Sequence, residues 1–370
     1  MVPFVKAARW ACSTSAIAIA VGLTSCAPSG PTSGGSPAGS SPAASTAAGG
    51  ATVTINGAGA SAPNPLYQRW FADYNKVDSA VQVSYQSVGS GAGVKQFLEQ
   101  TVDFGATDSP LKDEEKAKYP KERGAAAVQI PTTGLFVVMA YNLDGVSELK
   151  LSRESFCGIV DGSIKTWNDP LLAKDNKDAK LPDMPITLVY RSDGSGTTSI
   201  FTKHIAKACP NWTKGSGKSV EWSTGTGAKG NEGVTAGIKQ APGAIGYVEY
   251  SFAKENQLSM ASLQNKAGEF IVPSPESAAK ALENAKLPED FALSVPDPEG
   301  KDAYPIVSLT WLLLYEQYKD PAKAEAMKKF VAWALKDGKA AATELGYIPL
   351  PDDIVAKVAT AIDTIKVASK

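Results

Sequence analysis

The stretch Arg191-Ser192-Asp193-Gly194-Ser195-Gly196-Thr197-Thr198-Ser199 decides how this chain is read. It follows an apolar, strand-like run, Ile186 to Tyr190. It precedes a run in which Ile200, Phe201, Ile205 and Ala208 share one helical face. The stretch is therefore a strand-to-helix turn. Gly194 and Gly196 permit tight or positive-φ bends, and Ser195 or Thr197 can cap the helix. A helix N-terminus offers free N–H groups and the positive end of a dipole, which suits an anion. Arg191 adds a permanent charge and a planar fork of donors. Taken alone, the stretch also reads as an ordinary Gly/Ser turn capping a helix, and that plainer reading would stand. Two further turns of the same kind shift the balance toward a bound tetrahedral anion.

The first is Gly57-Ala58-Gly59-Ala60-Ser61-Ala62-Pro63, after the alternating run Thr52 to Asn56. It leads into a helix that would bury Leu66, Trp70, Phe71 and Tyr74, with Pro63 and Pro65 at its start, where a missing N–H costs little. The second is Gly89-Ser90-Gly91-Ala92-Gly93, between a strand at Val81 to Gln86 and a helix carrying Val94, Phe97, Leu98 and Thr101 on one side. Gly57 to Ala62 also fits the loose pattern G-x-G-x-x-A. A dinucleotide site would want an acid at the end of the next strand to hold the ribose, and Ser87-Val88-Gly89-Ser90 stands there instead. Asp108 ends a short strand-like run, Val102 to Ala106. By itself it is an Asx turn or a cap before a helix around Asp113 to Lys118.

Farther along, Ala125 to Asn142 holds two apolar runs around Pro131-Thr132-Thr133-Gly134, and Leu135 to Tyr141 reads as a buried strand. Pro242 to Glu249 is a turn into a strand, and Ile306 to Tyr315 a long apolar strand or buried helix. Pro321 to Leu335 and Asp352 to Ile365 are amphipathic helices. Strands alternating with helices place the chain in the α/β class.

The 370 residues suffice for two domains, and 43% hydrophobic with 20% charged residues is the make-up of a folded protein. Net charge is −1 with no basic stripe, which argues against nucleic acid as a partner. Any anion must then be held by local donors. Residues 1–25 read as a secretory signal, with Lys6 and Arg9 ahead of the apolar run Ala16 to Leu23. That run is too short to span a bilayer as a helix. Leu23-Thr24-Ser25-Cys26 resembles the bacterial lipobox, which implies cleavage before Cys26 and a lipid anchor on its sulfur. Plain secretion with cleavage elsewhere is the alternative. Residues 26–50 are almost wholly Ser, Gly, Ala, Pro and Thr and read as a flexible tether. Cys12 leaves with the signal and Cys26 is lipidated, so Cys157 and Cys209 remain. Outside the cytoplasm such a pair bonds, the alternative being two buried thiols.

Nothing in the sequence supports catalysis. His204 is the only histidine and has no metal-binding or base context, so a satisfied packing position or the surface is its expected place. Ser195 lies between two glycines, but Asp193 breaks the G-x-S-x-G nucleophile pattern. No H-E-x-x-H, Walker A or Cys/His zinc spacing occurs. The three turns are read as binding and not reacting.

Four stretches together, GAGASAPNPLYQRW from Gly57, SVGSGAGVKQFLEQTVDFGATDSPL from Ser87, RSDGSGTTSIF from Arg191 and PGAIGYVEYSFAKENQL from Pro242, resemble the phosphate-binding proteins of bacterial phosphate ABC importers. The resemblance spans nearly all of the chain after the tether. It implies a class II periplasmic-binding-protein fold, two α/β lobes joined by two crossover strands with a ligand cleft between them. It sets residues 51–142 and 305–370 in the first lobe and 143–304 in the second. It implies inorganic phosphate as ligand, bound without water, permease subunits as partners, attachment to the membrane through the N-terminal lipid, and no cofactor. Position by position it implies donors at Ser61, at the Ala62 N–H, and at Ser90, Arg191, Ser195, Gly196 and Thr197. Asp108 matches the carboxylate that takes a proton from phosphate, and Asp193 an acid that pairs with the arginine. The family often has Thr-Phe where this chain has Ser61-Ala62. Serine keeps the hydroxyl, and loss of the ring is expected to open the cleft edge. Sulfate or molybdate on the same fold, a phosphatase, and an adhesion or signalling module are the other readings.

Overall fold

In the computed structural model, residues 49–370 cluster as one unit, and the structure describes residues 52–283 and 285–367. The readings of a signal, a lipidated Cys26 and a tether lie outside the described residues.

The strands of the main sheet, in chain order, are β1 (Val53–Gly59), β2 (Val81–Ser87), β3 (Phe104–Thr107), β4 (Val128–Tyr141), β5 (Thr187–Arg191), β6 (Thr226–Ala228), β7 (Ala244–Glu249), β8 (Ser259–Met260) and β9 (Val307–Leu314). They form one sheet in the order β2-β1-β3-β9-β4-β7-β5-β6, with β8 paired to β4. At one end β1 is parallel to β2 and β3, and at the other β5 is parallel to β6 and β7. Antiparallel β9 and β4 lie between these two parallel groups. β4 joins them: Val128 to Phe136 pair with β9, and Val137 to Tyr141 pair with β7. Thirteen of its fourteen residues are buried, which is why a near-continuous apolar run marks it in sequence.

The two apolar runs around Pro131 are thus one strand. Proline inside a central strand removes a ladder hydrogen bond, and the structure accommodates it with a bulge. Thr310 faces Thr133 while Trp311 faces Pro131, so Thr132 is the extra residue. The ambiguity at Ile306 to Tyr315 resolves as strand, since β9 is buried on both faces.

Helices cover the sheet: α1 (Asn64–Val77), α2 (Ser90–Leu98), α3 (Arg153–Asp161), α4 (Gly196–Ala208), α5 (Gly230–Gln240) and α6 (Pro321–Lys336). α1 buries Leu66, Tyr67, Trp70, Phe71 and Tyr74, the apolar face expected of it. The Gly89 to Gly93 turn proves shorter than its glycines suggest. Gly89 alone turns the chain, at φ 88°, and Gly91 to Gly93 are already helical. The reason is close packing. A Cβ on Gly93 would stand 2.2 Å from the Gly59 Cα and 2.7 Å from the Ala58 carbonyl, so α2 can lie on β1 only with glycine there. Cys157 on α3 and Cys209 at the end of α4 form a disulfide, with a Cα–Cα distance of 5.5 Å. Among the described residues no helix is long and apolar enough to cross a membrane.

Candidate functional site

The three turns meet. The turns follow β1, β2 and β5, which end at Gly59, Ser87 and Arg191, and Asp108 joins them just beyond the end of β3 at Thr107. The Gly91 N–H donates to the Gly194 carbonyl at 2.7 Å, which ties the start of α2 to the turn before α4. A Cβ on Gly196 would lie 2.4 Å from Ser90 Oγ and 2.7 Å from Asp108 Oδ2. Only glycine allows α4 to begin so near those two polar groups.

The turn after β5 is preorganised from within. Arg191 is 4% exposed. Its Nε and Nη2 donate to Asp193 Oδ1 and Oδ2 at 2.7 and 2.6 Å, a two-point pairing that fixes the guanidinium plane. Burial pushes the Asp193 carboxyl up. The Arg191 hydrogen bonds and charge outweigh that and hold it below the usual carboxylate range. Nη1 is turned away from Asp193 and reaches Thr197 Oγ1 at 3.4 Å. Ser195 is the N-cap of α4, its Oγ accepting from the Thr198 N–H at 3.0 Å. The Ser199 N–H goes to the Ser195 carbonyl. This leaves the N–H groups of Gly196 and Thr197 at the open helix end, where no intrahelical partner exists.

Asp108 lies opposite and is 1% exposed. Its Oδ1 accepts from Thr310 Oγ1 at 2.8 Å, and its N–H donates to Ser90 Oγ at 3.2 Å. Oδ2 is buried and has no hydrogen-bond partner among the described residues. Burial pushes the carboxyl up to about 6, with the Thr310 hydrogen bond and the Arg191 charge limiting the rise. An acceptor that has lost water without gaining a partner is costly. Its free oxygen is the one beside Gly196. Donors from α4 and Arg191 thus converge on a place bordered by a single lone acceptor. That arrangement suits an oxyanion that also carries a proton.

The residues expected at the site are brought together, with two refinements. Ser61 is buried and its Oγ is already engaged by Asn231, whose N–H and Nδ2 donate to it at 3.1 and 2.9 Å. Ala62 does not open the edge of the site. It is fully buried, and its carbonyl accepts from Tyr347 Oη at 2.7 Å. His204 takes a buried packing position and not the surface, with Nδ1 3.8 Å from Asp297 Oδ1. It is 3% exposed, beside Phe156, and its Nδ1 has no hydrogen-bond partner among the described residues. Burial pushes its imidazole down to about 4, so it is neutral at pH 7. Among the described residues no group of three or more His, Cys, Asp or Glu is placed to hold a metal ion.

Sequence reasoning missed Asn231, Thr310 and Glu249. Asn231 is fully buried, yet it stands in the Gly/Ser/Thr-rich stretch 214–233, where polar side chains are taken for solvated loop. Thr310 is hidden within an apolar strand. Its side chain reaches Asp108 just where β9 meets the bulge at Thr132. Glu249 is fully buried at the end of β7, its Oε2 held by the N–H and hydroxyl of Ser251.

A family model described as a PBP superfamily domain matches residues 43–337. The chain is similar to the phosphate-binding protein PstS of Pasteurella multocida, 44% identical over 311 residues covering 82% of this chain and 88% of that one. It is 32% identical over 324 residues to the phosphate-binding protein PstS3 of Mycobacterium bovis, covering 85% and 88% of the two chains. Among solved structures, a high-affinity periplasmic phosphate-binding protein (PfluDING) bound with phosphate shares the fold at TM-score 0.70 and 23% identity, covering 83% of this chain and 93% of that one. A phosphate-bound putative phosphate ABC transporter substrate-binding protein from Clostridium perfringens shares it at TM-score 0.58 and 16% identity, covering 81% and 100%. With a parallel group of strands on each side of β4 and β9 and a polar site where the three turns converge, this chain belongs to the PstS family of phosphate-binding proteins within the PBP superfamily.

Proposed function

We propose that this protein binds inorganic phosphate outside the cytoplasm and delivers it to the permease subunits of an ABC importer, held to the membrane by lipid on Cys26. The lobes are residues 51–142 with 305–370, and 143–304, and phosphate draws them together through contacts from both. Ser61, the Ala62 N–H and Ser90 are the donors of the first lobe. Arg191, Ser195, Gly196 and Thr197 are those of the second, with Asp193 orienting the arginine. Asp108 is the acceptor.

The observation that carries this reading is the buried Asp108 Oδ2 beside Gly196, which has no hydrogen-bond partner among the described residues. An ionised carboxylate only accepts, and phosphate as HPO₄²⁻ or H₂PO₄⁻ has a proton to give it. Sulfate at neutral pH has none and would set a bare negative oxygen against Oδ2 in a dry site, a cost on the order of several kcal/mol. The names of the relatives agree with phosphate. The protein binds without turning its ligand over. Ser195 Oγ accepts the Thr198 N–H as the cap of α4 and keeps its proton for the ligand, and among the described residues no histidine is hydrogen-bonded to it to draw that proton away.

The test is a calorimetric titration of the phosphate-stripped protein with phosphate near pH 7 in excess sulfate. One-to-one binding that sulfate does not blunt is expected. Full competition by sulfate would leave the fold standing and remove phosphate as the ligand, and other oxyanions would follow.

A further inference from the structure

Asn231 belongs to α5, on the β6 side of the sheet, and is fully buried in the candidate site. Every polar atom of its side chain is committed. Oδ1 accepts from the Glu249 N–H at 3.0 Å, which fixes which way the amide faces. Nδ2 then donates to two hydroxyls, Ser61 Oγ at 2.9 Å and Thr197 Oγ1 at 3.1 Å. The backbone N–H of Asn231 donates to Ser61 Oγ as well, at 3.1 Å.

A hydroxyl has one proton to give and two lone pairs to receive. Ser61 Oγ receives from the Asn231 N–H and Nδ2, so both lone pairs are used. Thr197 Oγ1 receives from Arg191 Nη1 and Asn231 Nδ2, so its two are used as well. Each hydroxyl is left with its proton alone. Left to rotate, either could turn a lone pair toward an incoming anion and repel it.

We infer that Asn231 is a positioning residue that sets the polarity of the site, forcing Ser61 and Thr197 to present protons to the ligand. The inference rests on the phosphate reading above and assigns to one amide the task of making two neutral hydroxyls behave as fixed donors. The Glu249 backbone N–H holds the amide in that sense, and Asp108 remains the acceptor of the site.

Asn231→Asp tests this, since it keeps the shape and replaces the Nδ2 donor with an acceptor. The two hydroxyls would turn to donate to the new carboxylate and offer lone pairs to phosphate. Phosphate affinity is measured by calorimetry from pH 6 to pH 8.5 on the unaltered protein, Asn231→Asp and Asn231→Ala, with phosphate-free thermal melts to check folding. The expected result is a loss of affinity in Asn231→Asp of roughly a hundredfold or more near pH 8, lessening as the pH falls and H₂PO₄⁻ brings a second proton to donate. Asn231→Ala keeps the backbone N–H on Ser61 Oγ and Arg191 Nη1 on Thr197 Oγ1 but frees one lone pair on each hydroxyl, and should lose about tenfold with the pH profile of the unaltered protein. Equal losses in the two variants with unchanged pH profiles would reduce Asn231 to a packing contact and overturn the inference. So would an Asn231→Asp affinity within twofold of the unaltered protein. Should Asn231→Asp fail to fold, an Asn231→Ala affinity within twofold of the unaltered protein overturns it, and a tenfold loss upholds it. No binding by the unaltered protein would overturn the phosphate reading and this inference together, which separates the two failures.

Discussion

Two carboxyl groups buried in this molecule invite comparison. Asp108 directly follows β3 and Glu249 ends β7, and both are all but sealed from water. Each has one oxygen held by hydroxyl or amide donors and one with no partner among the described residues. Their environments differ in what else is near. Arg191 lies close enough to Asp108 for its charge to count, and the carboxyl rises only to about 6. Around Glu249 the neighbours are Ser251, and through it Tyr347, with Asp108 adding a like charge, and burial pushes the carboxyl up to about 8. At pH 7 the first is ionised and the second carries its proton. Burial with a lone oxygen does not by itself mark a ligand site. A fixed cation and free N–H groups across from the lone oxygen do.

The largest effect should come from erasing that difference. Arg191→Ala removes the guanidinium, strands Asp193, and leaves Asp108 in surroundings like those of Glu249. Phosphate affinity should fall by roughly a hundredfold or more, since several charge-assisted hydrogen bonds are lost together. Calorimetric titration of the variant measures this, and an unchanged affinity would remove the turn after β5 from the site. A smaller effect is expected of Asp108→Asn. It supplies donors where a lone acceptor stood, so sulfate loses its penalty and phosphate its proton acceptor. The ratio of phosphate to sulfate affinity should narrow by about tenfold or more. Competition between the two anions on the variant reads it directly, and unaltered discrimination would move the source of selectivity elsewhere.

How much of this was legible beforehand divides along chemical lines. β4 and β9 show as apolar runs because both of their faces are covered, and α1 shows through its aromatic stripe. The turn at Arg191 to Ser199 is legible because its work is local: Ser195 caps its own helix and Asp193 stands two residues from the arginine it pairs. Asn231 and Thr310 escape because theirs is not, and Glu249, though held by Ser251 two residues on, escapes because nothing local shows that the end of its strand is buried. Ser61 and Asn231 are separated by 170 positions and Asp108 and Thr310 by 202, and no period or short motif encodes such a meeting. The helical glycines of α2 mislead for a related reason. They look like a loop until Gly93 is seen against Gly59.

Glu249 offers the smallest effect and the most direct check on the comparison. Its carboxyl stands at about 8 in the folded protein against 4.5 ordinarily, raised first by burial. A raised acid contributes its full share of stability below its ordinary value and loses it as pH climbs through the folded one. The unaltered protein should therefore lose stability between pH 4.5 and 8 on account of this group, at up to about 1.4 kcal/mol per pH unit. Asp108 has the same sign over a lower window, from 3.8 to about 6. His204 has the opposite sign, its share present above 6.5 and lost as pH falls toward about 4. Above pH 6.5 Glu249 is thus the one of the three still titrating. Glu249→Gln keeps the shape and cannot ionise. Thermal melts without phosphate should match the unaltered protein near pH 5 and exceed it by roughly 5 °C near pH 8, with the gap constant at higher pH. Phosphate-over-sulfate preference should not change, because among the described residues no cation acts on this carboxyl and it takes no proton from the ligand. A gap that fails to grow with pH would mean that Glu249 is ionised in the folded state like Asp108, and the distinction between the two would fall.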